Sequence, residues 1–417
     1  MANVFVYTSP ARGHLFPIVP TMLELAARGH RVHVRTLAGD VERMSRLGLA
    51  ASPMARAIEE RVNDDHVAST PPGALDRVLA CWLERAPHEV PDLREGLAST
   101  RADVALVDVN SWGALAAAEA SGIPFAIFAP YFLPLDVPGR PPVGLGLAPA
   151  RGLLGRLRDR LLWGVTRWMM RKRARGLDQL RAGLGLPPIG ALDRLTSSAP
   201  RVLSYTAEPF EYDHGGWPEN VRFVGPGVWD PPAEEEEPRG DRPLVLVTCS
   251  TEFQDDARLI ETALAALDGE DVDVVATSAA IDPARFRAPP NARVVRFAPH
   301  GPLLRRAVAV VCHGGMGITQ KSLAAGVPAC VVAWGRDQLD VGRHVEVARA
   351  GVLLPKGKLS VDRLRAAIRE TRARKPGAER IAAAFAARGG AKVAADALEE
   401  IVPPAASVAR PEAPGLA

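Results

Sequence analysis

Two stretches of this chain repeat one pattern, and that repetition limits what it can fold into more than any other feature. In the first, apolar strand candidates at Val4 to Tyr7, Val32 to Arg35 and Val104 to Asp108 alternate with amphipathic helix candidates at Ile18 to Ala27 and Gly113 to Ala120. In the second, strands are expected at Leu244 to Val247, Val272 to Val275, Val294 to Phe297, Val308 to Cys312 and Ala329 to Ala333, with helices between them. Short apolar runs separated by helical periods mark βαβ units, whose parallel strands are buried on both faces. The expected class is α/β, with two Rossmann-like parallel-sheet domains.

Between the two series lie Gly225-Pro226-Gly227, Pro231-Pro232, four glutamates from Glu234 to Glu237, and Pro238. This acidic, Pro-rich stretch has no hydrophobic period and reads as an exposed linker. The division is therefore residues 1–225, a linker at 226–241, a second domain at 242–402, and a tail at 403–417. Without a hydrophobic face and with four prolines, the tail is expected to be disordered.

Composition narrows the function classes. The chain has 51 Lys and Arg against 48 Asp and Glu, a net charge of +3, and only 5% aromatic residues, which gives no electrostatic or stacking case for nucleic acid. Cys81, Cys249, Cys312 and Cys330 are too scattered for a disulfide framework or a zinc site, and they fit a reducing compartment. No apolar run approaches the roughly 20 residues of a membrane-spanning helix, and the chain opens directly on a strand, so the expectation is a soluble, cytoplasmic protein.

One segment stands out by charge. Between Arg151 and Arg181, ten Lys and Arg residues are interleaved with Leu153, Leu154, Leu157, Leu161, Leu162, Trp163, Trp168, Met169 and Met170. A basic amphipathic helix of this kind can lie on an anionic membrane. The favoured reading is a surface helix whose apolar face packs on its own domain while the arginines snorkel.

In open parallel sheets, ligands gather beyond the carboxyl ends of the strands. After the first strand comes Thr8-Ser9-Pro10-Ala11-Arg12-Gly13-His14-Leu15-Phe16-Pro17, read as a loop that leaves His14 at the sheet edge. Asp108 ends another strand of the same domain. A carboxylate on one imidazole nitrogen would fix the tautomer while the other nitrogen takes a proton, although Asp108 could equally cap the helix that follows. In the second domain, His313-Gly314-Gly315-Met316-Gly317 links a strand to a helix. Its backbone N–H groups suit a diphosphate, to which His313 could add a hydrogen bond or a positive charge.

Gly13-His14-Leu15-Phe16-Pro17, Phe297-Ala298-Pro299-His300, His313 to Gly317, Ala325-Gly326-Val327-Pro328 and Asp337-Gln338 together resemble the nucleotide-sugar-dependent glycosyltransferases of the GT-B fold, family 1, especially the bacterial enzymes of natural-product biosynthesis. The resemblance covers nearly the whole chain and implies that the two domains face each other across a cleft. It also implies roles: His14 as the base for the acceptor, Asp108 as its orienting carboxylate, and His313, Gly314, Gly315 and Gly317 around the donor pyrophosphate. Ser250 and Thr251 would be further phosphate ligands. Asp337 and Gln338 would bond the sugar hydroxyls, and Phe297 and Ala298 would hold the nucleobase.

Lys321 departs from the pattern, standing where the family often has a ribose-binding glutamate. A cation cannot accept that hydrogen bond, which favours a deoxyribose donor, dTDP-sugar over UDP-sugar. His300 replaces a common glutamine, and Ala333-Trp334 replaces a Pro-aromatic pair. Asp271-Val272-Asp273 spells the metal-binding DxD of other glycosyltransferases, but here it opens an apolar strand, so neither a metal nor any other cofactor is expected beyond the nucleotide-sugar cosubstrate. The reaction implied is inverting transfer to a hydrophobic aglycone in antibiotic biosynthesis, with Trp82, Phe128, Tyr131 and Phe132 as acceptor contacts, in a monomer or homodimer. The alternatives are a membrane-associated lipid glycosyltransferase, a sugar-nucleotide epimerase and a non-catalytic nucleotide-sugar-binding partner.

Overall fold

The structure is a computed structural model, which describes residues 1–403 apart from 69, 213–214, 233–241 and 251–255. Thirteen strands form two sheets among the described residues, and every adjacent pair is parallel. The first sheet contains β1 (Asn3–Tyr7), β2 (Arg31–Thr36), β3 (Ala50–Pro53), β4 (Val104–Asp108), β5 (Phe125–Ala129), β6 (Arg201–Ser204) and β7 (Val221–Phe223). Its order is β3-β2-β1-β4-β5-β6-β7. The second contains β8 (Leu244–Thr248), β9 (Asp273–Thr277), β10 (Ala292–Val295), β11 (Ala307–Cys312), β12 (Ala329–Ala333) and β13 (Gly351–Pro355), in the order β10-β9-β8-β11-β12-β13. Strand order reverses beside β1 and beside β8, and each reversal opens a crevice at the strands' carboxyl ends.

The first helix begins earlier than the sequence reading placed it. It spans Arg12–Ala27, so His14 sits in its first turn and not in a loop. The apolar period starts at Leu15 and continues through Ile18, Val19, Met22 and Leu25, all buried, and this face holds the helix despite Pro17 and Pro20 inside it. The third strand of the second series also shifts. β10 stops at Val295, where its partner β9 stops at Thr277, and Phe297 lies beyond the strand.

The linker and the carboxyl end are less separate than the chain division suggested. Trp229 meets Phe16 edge-on, with centroids 5.1 Å apart, so the described part of residues 226–241 is anchored rather than simply exposed. The acidic run lies outside the described residues, as does the tail from 404. The final helix, Ala391–Glu399, packs against Arg12–Ala27 of the first lobe: Ala394, Ala395 and Leu398 join its core, and Arg28 pairs with Asp396 and Glu399. It therefore ties the chain's end back onto the first sheet.

The basic helix spans Gly152–Gly183 and corrects the favoured reading of its apolar residues. Asp159, Trp163, Ala174, Leu177 and Arg181 face the protein, while Leu153, Leu154, Leu157, Leu161 and Trp168 face outward. Two apolar sets run along this helix, and the 3.6-residue period puts only the Trp163 set on the side its neighbours cover. No helix among the described residues is long and apolar enough to cross a membrane.

Candidate functional site

The carboxyl ends of β1 and β4 bring His14 and Asp108 together. His14 Nδ1 lies 2.8 Å from Asp108 Oδ2. Asp108 is fully buried; it accepts from the Ser9 hydroxyl at 3.3 Å and from the Asn110 backbone N–H at 2.8 Å. Because an ionised carboxylate only accepts, this contact assigns the imidazole proton to Nδ1 and leaves Nε2 as an acceptor. The Asn110 side-chain amide donates to Nε2 at 3.2 Å, and its oxygen accepts from the Tyr131 hydroxyl at 2.6 Å. Burial, reinforced by the charges of Asp108 and Asp337, pushes the Tyr131 phenol well above its usual range and keeps it neutral.

Asn110 was missed in the sequence, as was Glu89. The buried Glu89 carboxyl accepts from Gly113 N–H at 2.8 Å at the start of the helix after β4, and desolvation pushes it up to about 8. Asp108 thus makes a bond to His14 while the neighbouring helix start is served by Glu89, which separates the two roles left open for Asp108.

In the second lobe, the turn after β11 is built around two glycines. Gly314 has φ +93°, and a Cβ there would come within 2.7 Å of Val331 and 3.2 Å of Gln338. At Gly315 a Cβ would run into the His313 ring. Beside Gly317 the space is open, with no heavy atom within 4 Å of a Cβ position. The helix Met316–Ala324 starts without a side-chain cap, so its first N–H groups suit an anion. His313 is buried, and burial, aided by the Arg336 charge, pushes its imidazole down to about 4. It is neutral at pH 7, which removes the expected positive charge and leaves hydrogen bonding.

Asp337 and Gln338 behave differently from each other. Gln338 is buried, and its Oε1 accepts from Trp334 N–H at 2.7 Å and Gly335 N–H at 3.0 Å, closing the loop after β12. Burial raises the Asp337 carboxyl, while a backbone N–H and the Arg336 charge partly oppose the rise. Arg336, at φ 55°, donates twice to Asp65 of the first lobe, both bonds at 3.0 Å. Asp340 accepts from Gly144 N–H at 2.5 Å and Gly146 N–H at 3.2 Å, also across the lobes. These contacts join the region after β12 to the first lobe.

The other donor-side residues are divided. Phe297 is 47% exposed, whereas Ala298 is buried behind it. The Ser250 backbone N–H donates to Asp256 at 2.7 Å; Thr251 lies outside the described residues. Lys321 donates to Asp230 at 2.6 Å, and the second Asp230 oxygen accepts from Gly301 N–H at 2.9 Å. The linker thus returns a carboxylate to the place where the helix carries a lysine. His300, beside both, is driven down to about 4, first by burial and then by Lys321.

Two of the four acceptor candidates are corrected. Trp82 and Tyr131 line an apolar cavity of about 70 Å³, together with Trp112, Leu135, Trp163 and Met170. Phe128 points into the opposite core with Ala126, as strand alternation requires, while Ile127 and Phe125 take the other face. Phe132 stacks on His344 of the second lobe at 3.8 Å and so builds the lobe interface. Among the described residues no three His, Cys, Asp or Glu side chains gather as a metal site. Asp273 of the DxD opens β9, at the amino end of the sheet, and pairs with Arg242 at 2.6 Å.

Two facing Rossmann-like sheets, a histidine-carboxylate pair on one and a glycine turn on the other define a GT-B glycosyltransferase. Comparison with known proteins agrees. Residues 258–401 match the family described as erythromycin biosynthesis protein CIII-like, C-terminal domain. The chain is 36% identical to 4'-demethylrebeccamycin synthase of Lentzea aerocolonigenes, across 96% of its own length and 100% of that protein's. It is 26% identical to demethyllactenocin mycarosyltransferase of Streptomyces fradiae, covering 97% of this chain and 88% of that one. Two solved structures share the fold. The glycotransferase of kitacinnamycin superposes with TM-score 0.76 at 24% identity over 96% of this chain and 99% of that one. The glycosyltransferase VinC in complex with dTDP superposes with TM-score 0.68 at 21% identity, again over 96% and 99%. The chain belongs to the GT-B glycosyltransferases of the bacterial natural-product, antibiotic-biosynthesis type, and it is an enzyme.

Proposed function

We propose that the protein transfers a sugar from a thymidine-diphosphate donor to a hydrophobic natural-product acceptor, inverting the anomeric centre, with no metal ion. The observation that carries this reading is the His14–Asp108 bond, which leaves Nε2 of the ring to Asn110. The acceptor hydroxyl or other nucleophile would displace the Asn110 amide from His14 Nε2 and give its proton to that nitrogen. Its lone pair would form the new bond to the anomeric carbon as the bond to the nucleoside diphosphate breaks, with the electron pair leaving on the diphosphate. Asp108 would stabilise the imidazolium.

On the donor side, the uncapped helix start, the glycine turn and neutral His313 would meet the leaving-group charge as fixed dipoles. Asp337 would accept from sugar hydroxyls, and the exposed Phe297 would lie against the base. Support for a thymidine donor comes from Lys321, whose partner Asp230 already has both oxygens engaged. The dTDP held by VinC, a protein of the same fold, is consistent with it. Trp82, Tyr131 and neighbouring tryptophans would bind the acceptor. The present cavity is well below the roughly 300 Å³ of a small-molecule site, so its walls must part on binding.

The test is a mass-spectrometric screen of the purified enzyme against nucleotide sugars and flat or macrocyclic aglycones. A mass gain of one sugar from dTDP donors is expected; a clear preference for UDP donors would overturn the donor assignment.

A further inference from the structure

The helix Gly152–Gly183 has a second face that sugar transfer does not use. Its inner side supplies Trp163, Met170 and Ala174 to the cavity wall. On the outer side, Leu154, Leu157, Leu161, Val165 and Trp168 recur three or four residues apart, a continuous stripe roughly 180° around the helix from Trp163. Leu153 is 82%, Leu154 83% and Trp168 66% exposed.

The charges beside this stripe have one sign. From residue 151 to 175 the sequence carries nine Arg and Lys and a single acid, Asp159, which is buried and paired with Arg158. Arg167 and Arg173 are held by Asp193 and Asp76. Arg156, Arg160, Arg171, Lys172 and Arg175 are exposed and form no ion pair among the described residues. Helical spacing puts Arg156, Arg160, Arg171 and Arg175 along one flank of the stripe, while Arg151, Arg158 and Arg173 follow the other. A second copy of this helix laid against the first would set like charges face to face. A bilayer with anionic headgroups matches both features at once, because acyl chains take leucine, the boundary takes tryptophan, and phosphates take arginine.

We propose that this helix docks the enzyme flat on an anionic lipid surface, its leucine stripe and Trp168 immersed at the headgroup boundary and its free arginines on the phosphates. Docking places the acceptor cavity about one helix diameter, roughly 10 Å, from the lipid. A consequence resting on the function proposed above is that apolar acceptors dissolved in the bilayer reach the site without crossing water.

Flotation of the full-length protein with vesicles tests this without any sugar transfer, so its failure is separate from failure of the transferase reading. The protein should float with phosphatidylcholine–phosphatidylglycerol vesicles and not with phosphatidylcholine alone. Raising salt from about 0.1 M to about 0.5 M should release it, because the Debye length shrinks. Arg171→Gln with Lys172→Gln and Arg175→Gln should weaken binding on the order of a hundredfold. Leu157→Glu with Leu161→Glu should abolish it with the thermal midpoint unchanged, since both side chains are solvent-facing. Independently, anionic vesicles should blue-shift the emission difference between wild type and Trp168→Phe. Three results would overturn the proposal: no flotation with either vesicle, equal binding to neutral vesicles, or an oligomer in light scattering that Leu157→Glu dissociates.

Discussion

The two sheets wind alike, but their carboxyl edges are furnished with different material. In the first lobe the site is a relay of side chains, in which Asp108 holds His14, and Asn110 links His14 to Tyr131. In the second it is backbone, a glycine turn whose space is set by Val331, Gln338 and the His313 ring. A side-chain relay can be edited without disturbing the fold that displays it. A backbone cradle cannot, because the atoms that would bind the ligand also close the turn.

That contrast is open to measurement. The largest effect is expected at His14→Ala, which should cut turnover about a thousandfold while leaving donor affinity and thermal stability nearly unchanged. Unaltered turnover would remove His14 from the role of base. Gly314→Ala should lose stability and donor affinity together, by about 2–4 kcal/mol, since a Cβ there meets Val331 in a left-handed conformation. Calorimetry with a donor nucleotide would show whether the two losses separate, as they would if the turn were only structural.

Lys321→Glu in an Asp230→Ala background should narrow the preference for thymidine over uridine donors by about tenfold, the worth of one restored hydrogen bond. An unchanged ratio of specificity constants would detach the Lys321–Asp230 pair from donor choice. The smallest effect is expected at Glu89, whose folded-state carboxyl sits near 8 against an ordinary value of 4.5 because burial favours its protonated form. Between those values the unfolded chain has already released the proton that the folded one keeps, so stability from this group is full below about 4.5 and falls as pH rises toward 8. Glu89→Gln should flatten that decline by a few degrees in thermal midpoint, and parallel pH curves for the two proteins would contradict it.

Much of the architecture could be read beforehand, because strand and helix periods are local. β4 and β12 fall where the apolar runs end, at Asp108 and Ala333. Boundaries depart from the local pattern where a neighbour sets them. β10 ends with β9, and the first helix starts where Leu15 finds the core. Within the site, His14 and Asp108 could be paired from their strand ends. Asn110 could not, since an asparagine two residues past a strand carries no signal until Tyr131 and His14 stand beside it. Phe128 and Phe132 looked alike in an apolar run, and only strand alternation and the lobe interface separated them.

What the sequence determined by itself was the double winding, the histidine and carboxylate at the ends of β1 and β4, and the glycine turn after β11, all products of short-range pattern. The tertiary structure decided which groups meet across long stretches of chain, Arg336 with Asp65, Asp230 with Lys321 and Asn110 with His14, and also the outward turn of the leucines on Gly152–Gly183. The physical reason is that periodicity and turn chemistry act over a few residues, whereas burial and charge pairing depend on whatever the whole fold places within a few ångströms.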